Sequence, residues 1–296
     1  MALEARPIRE TVARPVNQPP YLPPSLPSNQ PPEPAWKKLL APLAVVGLLL
    51  AKFKGLLLPV LKFLPVILKT GGTMLLSIGA YAMIWGWKYA VGFVLLIFVH
   101  ECGHVVAARH FGLKASAPMF IPFMGAFIAL RDAPRNAWIE AWIGISGPIA
   151  GALGALACHT AGELLGMPLL IAIAWSAYWL NLFNLIPVGQ LDGGHVATAL
   201  SPWMWVPGFG VLGWLAFARP SFIIWMLLAL SLPRLFSLFR KRTPEEERFY
   251  EISPAQRRTM ALLYFGLAGG LAFYMHVADT ELHHVRATSP QFADAR

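Results

Sequence analysis

Apolar residues gather in long runs separated by short polar, basic or proline-containing breaks. The runs 71–87 and 88–111 each approach the ~20 residues a helix needs to cross a bilayer, and Gly86-Trp87-Lys88 marks a turn between them. Ala137–Leu165 predicts a further span, broken at Ser146-Gly147-Pro148, and 167–186 predicts the return. After a polar break the pattern resumes in Trp205–Ala218, Phe222–Phe239 and 260–277. The expected fold is an all-α polytopic membrane protein with about six transmembrane helices. One stretch departs from this pattern. Pro118-Met119-Phe120-Ile121-Pro122-Phe123 and Ala126-Phe127-Ile128-Ala129-Leu130 flank Met124-Gly125, which predicts a small membrane-associated β-hairpin. Its prolines confine it to an edge position, and a membrane-skimming loop is the other reading.

The remaining stretches set the domain plan. Residues 1–35 are rich in proline and poor in periodic apolar content, as expected of a disordered tail. In 36–70, Lys54, Lys62 and Lys69 fall on one broad helical face, so this segment reads as interfacial or re-entrant. Residues 71–204 form the expected core and 205–278 the C-terminal helices with a charged cytoplasmic loop at 240–258. The tail is 279–296.

Composition supports a membrane chain. Of 296 residues, 56% are hydrophobic and 13% charged, where a soluble domain carries about 25% charged residues. The formal charge of +9 sits mainly at the ends of apolar runs, where Lys and Arg report topology and headgroup contact rather than nucleic-acid binding. Arg109, Lys114, Arg131 and Arg135 place the end of 88–111 on the cytoplasmic side. Two cysteines, Cys102 and Cys158, lie in apolar runs and suggest no disulfide framework. No basic region followed by an apolar core opens the chain, so a cleavable signal peptide is not expected.

Chemistry concentrates at His100-Glu101-Cys102-Gly103-His104. Residues four apart share a helical face, so His100 and His104 can address one zinc ion with Glu101 as general base. A charged residue at mid-bilayer costs on the order of 2.5–3.5 kcal/mol, which favours a function over chance. Catalytic zinc takes three protein ligands and keeps a position open for water. The candidates for the third are Asp192, His195, Glu140, His159 and Glu163. Glu140 lies near Arg131 and Arg135 in sequence and reads as an interfacial ion-pair partner. His159 and Glu163 lie towards the opposite membrane face. Asp192 sits in the break Asn184-Leu185-Ile186-Pro187-Val188-Gly189-Gln190-Leu191-Asp192-Gly193-Gly194-His195, at matching depth, with two glycines that would let backbone approach the metal. It reads as a ligand ahead of a helix N-cap, with His195 as runner-up.

His100-Glu101-Cys102-Gly103-His104, followed by Asn184-Leu185-Ile186-Pro187 and Leu191-Asp192-Gly193-Gly194, resembles the site-2 protease family of intramembrane zinc metalloproteases, in its compact form without a PDZ domain. The likeness covers residues from about 71 to 200. It implies that His100, His104 and Asp192 bind Zn2+, that Glu101 activates water, and that Asn184 orients or stabilises the substrate peptide. It further implies a transmembrane protein substrate in a multi-pass cell (inner) membrane protein, with association between copies left open. Two other classes stay in view: a metal transporter or sensor, which needs the ligands but not Glu101, and a silent adaptor, which needs neither.

Overall fold

The computed structural model describes residues 71–288. The expected proline-rich tail (1–35) and interfacial or re-entrant segment (36–70) lie outside the described residues, as does 289–296.

Two antiparallel helices open the described chain, α1 (Thr73–Trp85) and α2 (Trp87–His110). They reverse at Gly86, whose φ of 80° lies in the left-handed region that glycine adopts without a Cβ penalty. With 13 residues, α1 is about 20 Å long and falls short of the span expected from 71–87. It instead leans on α2 through Tyr81, Trp85, Tyr89 and Phe93, whose rings pack at centroid distances of 5.5–6.4 Å. The hairpin follows as β1 (Met119–Ile121) and β2 (Gly125–Phe127), antiparallel with Phe120 opposite Ala126. Phe120 is buried beside Tyr81 and Phe93, which anchors β1 under α1.

The third helix, α3 (Ala137–Leu165), starts where the Asn136 side chain accepts from the Ile139 N–H. It ends at Gly166, φ 62°, a C-terminal cap of left-handed conformation. Ser146-Gly147-Pro148 does not break it. Pro148 is fully buried within the helix, and the Ser146 hydroxyl donates to the Trp142 carbonyl. Neighbouring helices and serine side chains compensate the backbone bond that an intramembrane proline removes.

Next, α4 (Pro168–Asn184) returns and stops before Pro187, and α5 (Asp192–Leu200) begins after the break. A helical hairpin comes next, α6 (Trp205–Ala218) and α7 (Phe222–Phe236). The charged segment holds a short helix, α8 (Pro244–Tyr250), with a Thr243/Glu246 capping box. The last helix, α9 (Pro254–Thr288), is longer than the apolar run 260–277 suggests. Ser253 and Gln256 cap its start reciprocally, and Ala278 and Leu282 still pack in the core near its end.

Helices α2, α3 and α4 pack on one another, α5 packs on α3, and α9 packs along α4. Small residues line these contacts: Ala141, Ala155, Ala174, Ala177, Ala199 and Ala278 are buried, as suits helices that associate by close packing within lipid. Large apolar side chains point outward instead, with Met83 82% exposed and Phe222 81%. Among the described residues four helices are long and apolar enough to cross a membrane, at Trp87–His110, Ala137–Leu165, Phe222–Phe239 and Pro254–Ala287. The chain is an all-α integral membrane protein with a small β-hairpin.

Candidate metal centre

His100 and His104 project from the same face of α2, both buried. His104 Nδ1 lies 2.7 Å from the carbonyl of Ile143. A carbonyl only accepts, so Nδ1 carries the proton and donates. His100 Nδ1 lies 2.8 Å from Asn181 Oδ1, while the Asn181 amide nitrogen donates to the Ala177 carbonyl. The amide is thereby oriented with its oxygen towards His100, which fixes the second tautomer too. Both Nε2 atoms are left with lone pairs, and they face each other at 3.1 Å.

Asp192, the first residue of α5, completes the group. Its Oδ1 is 3.3 Å from His104 Nε2, and its Oδ2 is 3.1 Å from His100 Nε2. Oδ2 is buried with no hydrogen bond. One ligand atom from each of His100, His104 and Asp192 lies within 4.8 Å of the others. Two imidazole lone pairs and a carboxylate converging in a buried space repel unless a cation joins them. Two nitrogens and one carboxylate oxygen are a zinc donor set, so the residues fit the ion. Asp192 makes no side-chain cap on α5.

Glycines make room for this group. A Cβ at Gly147 would fall 2.1 Å from His104 Nε2, and one at Gly151 would fall 2.2 Å from Asn181 Oδ1. Gly103, inside the motif, lets α2 approach α3: its Cβ would lie 2.3 Å from the Ser146 carbonyl oxygen. At Gly193 and Gly194 the close neighbour is the break that precedes α5. Side chains there would strike the carbonyl oxygens of Leu185 and Val188 at 2.0 and 2.2 Å, so these glycines seat the start of α5 on the break behind it. Tyr264 of α9 donates its hydroxyl to the Leu185 carbonyl and holds the break from the other side.

Glu101 is 5% exposed and lines a cavity of about 1600 Å3 together with His100, His104 and Asp192. Asn184 lines the same cavity, while the amide that meets His100 belongs to Asn181, one helical turn earlier. Sequence reasoning missed Asn181, although a polar amide inside an apolar span was the available signal. His195 stands outside this group of three: its Nδ1 lies 2.8 Å from Glu140 Oε1. Glu140 is an ion-pair partner as expected, but its partners are His195 and Arg234, the latter at 3.2 Å, rather than Arg131 or Arg135. The pairing follows from α5 and α7 both closing on the start of α3.

Comparison with known proteins agrees with this geometry. Residues 88–168 match the model of peptidase family M50. The chain is 27% identical over 223 residues to "Probable zinc metalloprotease EGY2, chloroplastic" of Oryza sativa subsp. indica, covering 58% of this chain and 40% of that protein. It is 31% identical over 121 residues to "Zinc metalloprotease MJ0392" of Methanocaldococcus jannaschii, covering 38% of this chain and 34% of that protein. The aligned parts thus span two fifths or less of these relatives. The matched segment holds the histidine pair and Glu101 but stops before Asp192, whose place beside them comes from the fold. In motif, helical architecture and matched segment, the chain is similar to peptidase family M50 over residues 88–168.

Proposed function

We propose that this chain is a membrane-embedded zinc metalloprotease that hydrolyses peptide bonds within or near transmembrane segments of other membrane proteins, as in regulated intramembrane proteolysis. The observation that carries the reading is the convergence of two bare Nε2 atoms and the Asp192 carboxylate on one point, at the wall of a cavity that Glu101 also lines. In this reading His100, His104 and Asp192 hold the ion. Zinc, when bound, supplies Lewis acidity and brings a water towards neutral pKa. Glu101 takes the proton of the attacking water and returns it to the leaving amine. Asn181 and the Ile143 carbonyl keep both imidazoles in the ligating tautomer. Asn184 hydrogen-bonds the unwound substrate peptide.

A substrate helix hides its peptide bonds and must unwind before hydrolysis. The hairpin supports a place for the unwound strand. One side of β1 is occupied, since the Phe120 N–H donates to the Thr73 hydroxyl at 3.3 Å. On the other side of the hairpin, β2 (Gly125, Ala126, Phe127) lines the cavity and offers an edge for strand addition. The basic residues Arg109, Lys114 and Arg131 near the end of α2 support a centre on the cytoplasmic side of a cell (inner) membrane.

The test is a quantitative survey of new protein N-termini in membranes carrying the native chain or Glu101→Gln at equal levels. Termini within or beside transmembrane segments should appear only with the native chain, and turnover of an identified substrate should fall by about 10²-fold or more. Matching surveys from two zinc-loaded proteins would remove the protease reading in favour of transport or sensing. With a substrate in hand, Ala126→Pro should lower turnover while zinc content stays constant; unchanged turnover would exclude strand addition.

A further inference from the structure

At the far end of α3 the chain holds a second group of the same chemistry. His159 and Glu163 are four residues apart, on one face of the helix, and Glu281 of α9 meets them. One ligand atom from each lies within 4.8 Å of the other two. His159 is 3% exposed, Glu281 is half-buried, and Glu163 reaches the surface. His159 Nδ1 faces the Tyr178 hydroxyl at 3.3 Å, and Nε2 faces Glu281 Oε2 at 3.0 Å. A proton on Nδ1, donated to the phenol oxygen, would leave the Nε2 lone pair for an ion held together with the two carboxylates. Metal-ligating histidines are held by an oxygen that accepts from their other ring N–H, and the Tyr178 hydroxyl oxygen is placed for that role. Glu163 and Glu281 also border a cavity of about 440 Å3, which His284 and Thr280 line as well.

We infer that His159, Glu163 and Glu281 form a second divalent-cation site, separate from the catalytic centre, that staples α3 to α9. One imidazole and two carboxylates form a mixed donor set suited to Zn2+ among the first-row ions. The cavity leaves a route for the ion and room for water as the remaining ligand. A His159–Glu281 contact alone would bind no metal. The two states differ in zinc content.

The experiment strips the full chain with a chelator in detergent, equilibrates it with Zn2+ and measures bound metal per chain. Two equivalents are expected for the native chain, and one each for His159→Ala, Glu281→Gln and Asp192→Asn. In the Asp192→Asn background, Zn2+ should raise the unfolding temperature, and adding Glu281→Gln should abolish that rise. Glu163 is exposed, so Glu163→Gln leaves the fold intact; it should weaken the second equivalent at least tenfold. One equivalent in the native chain, lost with Asp192→Asn and unaffected by His159→Ala or Glu163→Gln, would overturn the inference and leave a plain ion pair. One equivalent that survives Asp192→Asn and vanishes with His159→Ala would support the second site while sinking the first.

Discussion

Gly147 and Gly151 in α3 have the same spacing as Gly266 and Gly270 in α9, and both pairs lie in apolar helices. In sequence they are the same small-residue motif for close helix packing. In the fold they differ completely. Side chains at the first pair would enter the space of the His104 imidazole and the Asn181 amide; a Cβ at either member of the second would meet nothing within 4 Å. The α3 pair does not serve backbone contact as the spacing implies. It accommodates two polar side chains, His104 of the candidate metal group and Asn181, which bonds His100 of the same group. What a glycine does in a membrane helix depends on which neighbour occupies its missing side chain.

Substitutions can break or sharpen this contrast. The largest effect is expected for Gly147→Ala. The added methyl displaces His104 from its partners, so zinc content should drop and activity should fall on the order of 10²-fold, as displacements near 1 Å do. Metal analysis and turnover on the purified protein check it, and a zinc-replete, active variant would show that α3 yields instead. Gly151→Ala should cost less, about 10–100-fold in zinc affinity, because it strikes Asn181 rather than a ligand. That route can be isolated by a double-mutant cycle: once Asn181→Ala has removed the amide, Gly151→Ala should add almost nothing. Additive losses would mean that Gly151 acts through helix packing after all. The smallest effects belong to Gly266→Ala and Gly270→Ala, with activity expected within twofold of the native chain and no loss of zinc. A large loss there would reveal an occupant of that α9 face.

The same contrast explains what the sequence makes legible. His100, Glu101 and His104 stand out because helical periodicity alone puts two imidazoles on one face, and hydrocarbon makes such groups costly. Asp192 stands out because it opens a helix after a polar break. The hairpin is visible in its prolines and in Gly125, whose φ of 98° follows the left-handed Phe123 at 63°. Other features depend on contacts between distant segments. Nothing local to Pro148 says that α3 continues through it, since the compensation comes from its packing. Asn181 and Asn184 are both amides near the end of one apolar helix, and only the direction of α4 against α2 decides which meets His100. Likewise, Glu140 is drawn to His195 and Arg234 by the closure of three helices, which outweighs its closeness in sequence to Arg131 and Arg135.

The proposed metal group draws two residues from α2 and one from α5, on opposite sides of α3 and α4 in chain order. An unfolded chain does not hold these atoms together, so affinity for the ion is also free energy of folding. At a free zinc level a thousand times the dissociation constant, that linkage amounts to about 4 kcal/mol. Such an amount rivals much of the net stability of an ordinary domain. Under the proposed reading, readiness for chemistry and persistence of the folded chain rise and fall together: a chain that loses its ion would also be the one most open to degradation.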